Sequence, residues 1–276
     1  MFCYLSCRIY CWTLENIGIM HRIHNHTNYK APVDFKKLTF ILSEINSTKA
    51  TLGKDALNIL EIGCGVGNIS IPVASLGHNV TAIDMDAANI QYIHANSSFS
   101  NLNAQTQMAE DLSVENIFDV VICSEVIEHL DDPEIVVRII KNALRDHGIC
   151  IFTVPNGYGP WEIKNNIKYK YKSIKSSIKQ ILLMNKKDNI NIAINTSCES
   201  SLGHSPHVQR FSMSQLKDIF HRNGLKIKFI TNSDFISPVF RVLRRRKIAK
   251  YDCILADILP HFMVSGWYIV VDKFNC

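Results

Sequence analysis

The chain has 276 residues, 47% hydrophobic and 20% charged, with a formal net charge of +5. That balance excludes an intrinsically disordered chain, and so mild a positive charge does not by itself mark a nucleic-acid binder. Nine cysteines without a C-x-x-C pair, several inside apolar runs, point to a reducing, cytoplasmic compartment rather than a disulfide framework.

Met1 to Met20 carries Cys3, Cys7 and Cys11 at helical spacing, but Arg8 and Glu15 interrupt it. It is too short and too charged to span a bilayer, and no small-residue cleavage site follows. It reads as a docking helix, or as an over-extended start with Met20 as the initiator. The three cysteines lack an evident fourth ligand for a metal. His21, His24 and His26 are unevenly spaced and read as a solvated loop. Phe35 to Ile45 predicts an amphipathic helix with Leu38, Ile41, Leu42 and Ile45 on one face. Residues 1–50 are taken as an N-terminal helical segment, and 51–276 as the main domain.

Asn58 to Ile62 is a short apolar run, the pattern of a buried parallel strand. It leads into Gly63-Cys-Gly65-Val-Gly67, and a helical segment, Asn68 to Leu76, follows. Strand, glycine turn and helix form the first unit of a nucleotide-binding α/β sheet. Glu61 sits two residues before the first glycine. A second strand, Asn79 to Ile83, ends in Asp84, 21 residues after Gly63, where a carboxylate reaches the two hydroxyls of a ribose.

These residues resemble the class I S-adenosylmethionine (SAM) dependent methyltransferases, in which an acid precedes the glycines. Dehydrogenases space the turn as G-x-G-x-x-G. A dinucleotide site, or a plain glycine turn without a ligand, are the competing readings. The resemblance implies an α/β, Rossmann-like fold: a seven-stranded sheet with the last strand antiparallel, plus a helical cap insertion. It also implies SAM contacts at Glu61, Gly63, Gly65, Gly67, Asp84 and Met85, with Glu61 orienting the loop and the methionine end.

A helix is expected from Ala87 to Ser98 and a third strand near Gln105 to Met108. In the family the following loop contacts adenine, often through an acid. Met108 stands where that acid is expected, so the role shifts to Glu110 or Asp111; a helix N-cap is an equal reading of Asp111. Phe118 to Cys123 is the fourth strand, and the loop from Ser124 faces the pocket, because ligands bind at the carboxyl ends of such strands. Pro133 opens a helix to about Arg145, His147-Gly148 ends it, and Ile149 to Val154 is strand five.

An insertion, 160–205, then changes the composition. Ile163 to Lys187 holds eight lysines and no acid, with Ile167, Tyr171, Ile174, Ile178 and Ile181 at helical spacing. It reads as a solvated cap, as an interfacial helix giving peripheral contact with the inner face of a membrane, or as a nucleic-acid patch, which lacks arginines and a stacking platform. The basic run Arg241 to Lys247 adds to the second and third readings. Asn185 to Ser205 is low in complexity and expected to be a loop. A helix over Ser214 to Asn223 ended by Gly224, strand six over Leu225 to Thr231, a short helix over Cys253 to Leu259 and a last strand over Trp267 to Asp272 complete the chain.

Glu125-Val-Ile-Glu128-His129 carries the second resemblance. It is similar to the ubiquinone-biosynthesis O-methyltransferases and their unassigned bacterial relatives, and to the small-RNA 2′-O-methyltransferases, which hold a divalent metal. Thr153-Val-Pro-Asn156 and His207-Val-Gln-Arg-Phe211 favour the first group. The resemblance implies an enzyme that methylates oxygen on a small-molecule or lipid-linked acceptor, with Glu128, His129 and His207 as catalytic residues and Ser124 at the cofactor. The metal-assisted RNA ribose enzyme, with Glu125, Glu128, His129 and His207 as ligands, and a non-catalytic SAM-binding regulatory module are the alternatives. Neither a divalent metal nor a nucleic-acid partner is expected. Glu128 as a loop cap and His129 as a pocket wall are the structural readings.

Overall fold

The structure is a computed structural model and describes residues 23–160, 208–235 and 246–274. The cysteines and histidine before Ile23, the insertion from Trp161 onward, His204, His207 and Arg241 to Arg245 lie outside the described residues.

Among the described residues seven strands are interleaved with six α-helices: α1 (Pro32–Leu52), β1 (Asn58–Ile62), α2 (Ser70–Ser75), β2 (Asn79–Asp84), α3 (Ala87–Asn96), β3 (Leu102–Thr106), β4 (Phe118–Ser124), α4 (Pro133–Ala143), β5 (Leu144–Pro155), α5 (Met213–Arg222), β6 (Leu225–Asn232), α6 (Arg246–Ile258) and β7 (Gly266–Lys273). The sheet order is β3-β2-β1-β4-β5-β7-β6. All pairs are parallel except those of β7, which lies antiparallel between β5 and β6. This is the class I methyltransferase architecture expected from the resemblance.

The period of two along each buried strand divides the core. Leu60, Ile62, Val121, Cys123, Cys150 and Phe152 pack with α4 and α5. Ile59, Val120, Ile122, Ile149 and Ile151 pack with α1, α2 and α3. Cys64, Cys123 and Cys150 are buried free thiols, packing as small hydrophobes. Pro32 opens α1, Asp34 Oδ2 accepts from Ala31 N at 3.3 Å, and Gly53 ends it at φ 61°. Its buried face holds Leu38, Ile41, Leu42 and Ile45.

Three local expectations are corrected. β3 runs from Leu102 to Thr106 rather than over Gln105 to Met108. It is an edge strand with polar Asn103 and Gln105, so apolar content does not mark its ends. α4 stops at Ala143, because Leu144 already joins the sheet opposite Phe118; the register then shifts until Ile149 faces Val120. Asp111 caps no helix: Ala109–Asp111 is a single 3-10 turn, and the chain reaches β4 without an α-helix. The sheet face left uncovered there is polar. Asn79, Thr81, Asn103 and Gln105 line a groove of about 690 Å³ on it.

At the opposite end of the sheet from the glycine turn, buried Asp119 opens β4. It accepts from Lys54 Nζ at 2.5 Å, Arg145 Nη1 at 2.9 Å and Asn58 N at 2.9 Å. Burial raises its pKa, but these bonds outweigh it and hold the carboxyl below the ordinary value. Among the described residues no helix is long and apolar enough to cross a membrane.

Candidate active site

β1 delivers its chain to the turn between β2 and β4. Gly63 N and Cys64 N both donate to Ile83 O, at 2.9 and 3.0 Å. Gly63 has φ 69°, and a Cβ there would collide with Val126 Cγ2, so the loop after β4 presses directly on it. Gly65 has φ 52° and open space where a Cβ would stand. A ligand can therefore approach its backbone. The Gly65 N–H donates to Asp84 Oδ2 at 2.7 Å, while Asp84 Oδ1 accepts from Asp86 N at 2.9 Å and Asn89 Nδ2 at 3.2 Å. The carboxylate is fixed by the loop it faces and keeps further lone pairs for a diol. Met85 beside it is 76% exposed. Glu110, Asp111 and Met108 are exposed beyond the end of β3.

Glu61 lies beneath the turn, 2% exposed, and accepts from the Ser70 hydroxyl at the start of α2. Burial pushes its pKa up to about 8, against the Ser70 hydrogen bonds and the Lys37 charge. The Glu61–Ser70 bond ties the strand before the glycines to the helix after them. Gly67 is close-packed as well, its Cβ position 3.0 Å from Ile71 and Ile93.

The segment before α1 crosses this turn. Asn28 N donates to Asn68 Oδ1 at 2.8 Å, and Asn28 Nδ2 to the Tyr92 hydroxyl at 3.1 Å. The His26 ring stands edge-on to Phe99, with centroids 5.3 Å apart. Lys37 Nζ lies 5.7 Å from the Tyr29 ring centroid. Burial works against the Lys37 charge, yet Glu125, Tyr29 and Asp34 outweigh it and raise its pKa. Burial raises the Tyr29 pKa, with Lys37 opposing.

Ser124 ends β4, and its Oγ lies 2.8 Å from Thr153 Oγ1 on β5. That hydroxyl donates to Glu125 Oε1 at 3.0 Å, and Glu125 N donates to Thr153 O at 2.9 Å. Glu125 adopts φ 56°, a left-handed conformation that costs a non-glycine residue about 1 kcal/mol. Thr153 holds both ends of the residue in place. The 3-10 turn Ile127–His129 follows. Glu128 is 1% exposed, and neither carboxylate oxygen has a hydrogen-bond partner among the described residues. Burial first, and the Glu125 charge second, push its pKa well up. His129 is half-buried, with Nε2 4.0 Å from Glu128 Oε1. The Glu128 carbonyl accepts from Val208 N at 3.0 Å and Gln209 N at 2.9 Å.

The structure thus brings Glu61, Ser124, Glu125, Glu128 and His129 to the carboxyl ends of β1, β4 and β5, and the three glycines and Asp84 to those of β1 and β2. It adds Ser70, Tyr29 and Lys37, which the motifs did not indicate, and brings in Thr153, which the sequence singled out only as part of the Thr153–Asn156 segment. Lys37 had a signal: it continues the Ile41–Ile45 row of α1 by one turn, so it cannot be a freely solvated lysine. His207 precedes in sequence the Val208–Gln209 backbone that bonds the Glu128 carbonyl, but it lies outside the described residues. Among the described residues no three His, Cys, Asp or Glu side chains are arranged to hold a metal ion.

A family model described as "Methyltransferase domain" matches residues 35–228. The chain is 35% identical over 141 residues to the ubiquinone biosynthesis O-methyltransferase of Rickettsia typhi, covering 50% of this chain and 52% of that protein. It is 34% identical over 149 residues to the protein of the same name from Rickettsia prowazekii, covering 52% and 54%. The chain spans about half the length of these curated relatives. A TehB-like SAM-dependent methyltransferase from Corynebacterium glutamicum shares the fold at a TM-score of 0.51 and 14% identity, over 94% of this chain and 97% of that one. A SAM-dependent methyltransferase from Mesorhizobium loti does so at 0.50 and 13%, over 83% and 96%.

Proposed function

We propose that this chain, which belongs to the methyltransferase-domain family and uses SAM, methylates a hydroxyl oxygen of a small or lipid-linked acceptor held against the loop after β4. The glycine turn fits the cofactor: Gly65 leaves its backbone open to a ligand, and Asp84 is fixed with lone pairs to spare for a diol. SAM supplies a methyl group already activated on a sulfonium, so the protein has to align an oxygen and remove its proton.

The observation that carries the reading is Glu128. A fully buried carboxyl without a hydrogen-bond partner among the described residues is costly to keep. Burial, with the Glu125 charge second, makes this carboxylate more ready to accept a proton than an exposed one. His129 stands beside it as the second group able to hold the proton. Glu125, pinned by Thr153, supplies negative charge near Glu128. Oxygen, rather than nitrogen or carbon, is supported by the names of the curated relatives.

The test is incubation of the purified chain with methyl-labelled SAM and hydroxylated aromatic acceptors, with and without an alkyl tail. Labelled methyl ethers are expected. Glu128→Gln and His129→Ala are each expected to lower turnover by about 100-fold while SAM still binds. Methylated amines, or full turnover in both variants, would overturn the reading.

A further inference from the structure

We propose that the uncovered face of β1, β2 and β3 is a binding site for a neutral saccharide. Three neighbouring strands carry its floor. Asn79 and Thr81 share one face of β2, and Asn103 and Gln105 the same face of β3, because alternate residues of a strand point the same way. Register sets Thr81 opposite Asn103, and Asn58 opposite Asn79. Strand geometry then spaces these positions by about 4.8 Å across the sheet and about 6.6 Å along it. One ligand of a few rings can therefore reach several of them at once. Gln107, directly after β3, closes the reaction end of the groove, where its N–H donates to Asp84 O at 3.0 Å.

The chemistry of the lining selects the ligand. The groove measures about 690 Å³, within the roughly 300–1,000 Å³ of small-molecule sites. Of its fifteen lining residues six are asparagine or glutamine, and Asp111 is the one charged residue. A face kept only for solubility is about 25–35% Lys, Arg, Glu and Asp, and an exposed edge strand is ordinarily guarded by charge. β3, Leu-Asn-Ala-Gln-Thr, carries none. An amide side chain brings two donors and an acceptor, which matches hydroxyl groups that both donate and accept. Asn79 gives one N–H to Asn58 Oδ1 at 3.1 Å and keeps its carbonyl and second N–H. Asn103 and Gln105 are exposed. Without a lysine or arginine in the lining, a phosphate group or a nucleic-acid strand finds no counter-charge. An extended peptide would pair with the backbone beside β3, whereas these side chains stand out of the sheet and span three strands. The loop between β3 and β4 adds an apolar portion, Leu112, Val114 and Ile117, the last 41% exposed. The C–H face of a sugar ring packs on such a surface while the amides take its hydroxyls. The inference depends neither on the methyl acceptor nor on Glu128.

Saturation-transfer difference NMR of the full chain tests it, with maltotriose, cellotriose and triacetylchitotriose as probes. Transfer to at least one of the three is expected. Asn103→Ala and Gln105→Ala are each expected to weaken that binding about fivefold, and the double variant to remove the signal. Both side chains are exposed and lie outside the glycine turn, so the melting temperature and SAM affinity of the variants are expected to match the wild type. That separates this result from a failure of the cofactor site. Four outcomes overturn the proposal: no transfer to any of the three probes, a double variant that binds as the wild type does, a signal that saturating SAM abolishes, which would place the sugar in the cofactor site, or a wild-type dimer that the double variant converts to monomer in sedimentation, which would assign the face to a second copy of the chain.

Discussion

Lys36 offers the sharpest test of how the N-terminal helix is held to the sheet. It is 6% exposed, and its three ammonium protons go to Ser233 O at 2.7 Å, Cys253 O at 2.9 Å and Asp257 Oδ1 at 2.6 Å. One buried cation thereby joins α1, the end of β6 and α6. Lys36→Met keeps the stem and removes all three donors. Breaking a buried pair costs about 3–5 kcal/mol, and the Asp257 side chain is 35% exposed, so water recovers part of it; about 2–4 kcal/mol is the expected loss. Burial raises the Asp257 pKa by more than Lys36 lowers it. The stranded carboxylate is therefore the costly remainder, and adding Asp257→Leu is expected to restore about half of the loss. Urea unfolding followed by the fluorescence of buried Trp267 gives both numbers. A loss below about 1 kcal/mol for Lys36→Met, or strict additivity in the double variant, would refute the reasoning.

Asp84→Ala is expected to weaken SAM binding at least about tenfold in calorimetry, since it removes the anchor of the Gly65 amide and the carboxylate proposed to hold the diol; an unchanged affinity would place the cofactor elsewhere. Gly63→Ala is expected to cost at least about 2 kcal/mol from the collision with Val126 and the positive φ. Pairing it with Val126→Ala should leave only the backbone part, about 1 kcal/mol. The Glu61 carboxyl has a folded pKa raised from 4.5 to about 8, so the native state retains a proton that the unfolded chain releases. Its contribution is full below the unfolded value and is lost as pH rises through about 8, at up to about 1.4 kcal/mol per pH unit. Glu61→Gln is expected to flatten the fall of melting temperature across that window, and an equal slope in the two proteins would contradict the burial of Glu61.

The first half of the sheet was legible because its signals are local. β1 ends where its apolar run ends, and the glycines and Asp84 lie within one β-turn-α-β unit. The same holds for the antiparallel β7, whose apolar run is unmistakable between two polar ends. What failed depended on partners remote in sequence. Leu144 reads as the end of a helix until Phe118 is placed opposite it. β3 reads one turn late because an uncovered sheet edge tolerates Asn103 and Gln105. Lys36 and Lys37 belong to no motif. One is the buried pin described above and the other interacts with Glu125 in the loop after β4, because successive residues on a helix are about 100° apart.

Glu61 and Glu128 acquire their raised pKa values in the same way, and that common cause explains the shape of the site. In each, burial comes first and a second carboxylate adds to it: Asp84 for Glu61, Glu125 for Glu128. Lys37 opposes both shifts from a single position on α1. Among the described residues four acids, Glu61, Asp84, Glu125 and Glu128, therefore cluster at the carboxyl ends of β1, β2 and β4 with Lys37 beside them, and burial makes Glu61 and Glu128 hold their protons more tightly than exposed carboxylates do. Such a field suits a ligand that carries positive charge, and SAM is a sulfonium with an ammonium group at its amino-acid end. The acids that attract it are also the groups whose protons it would displace, so cofactor binding and the readiness of Glu128 to accept a proton are linked through the same electrostatic field. The glycines shape the cradle, but the fixed carboxylates decide the sign of the charge it receives.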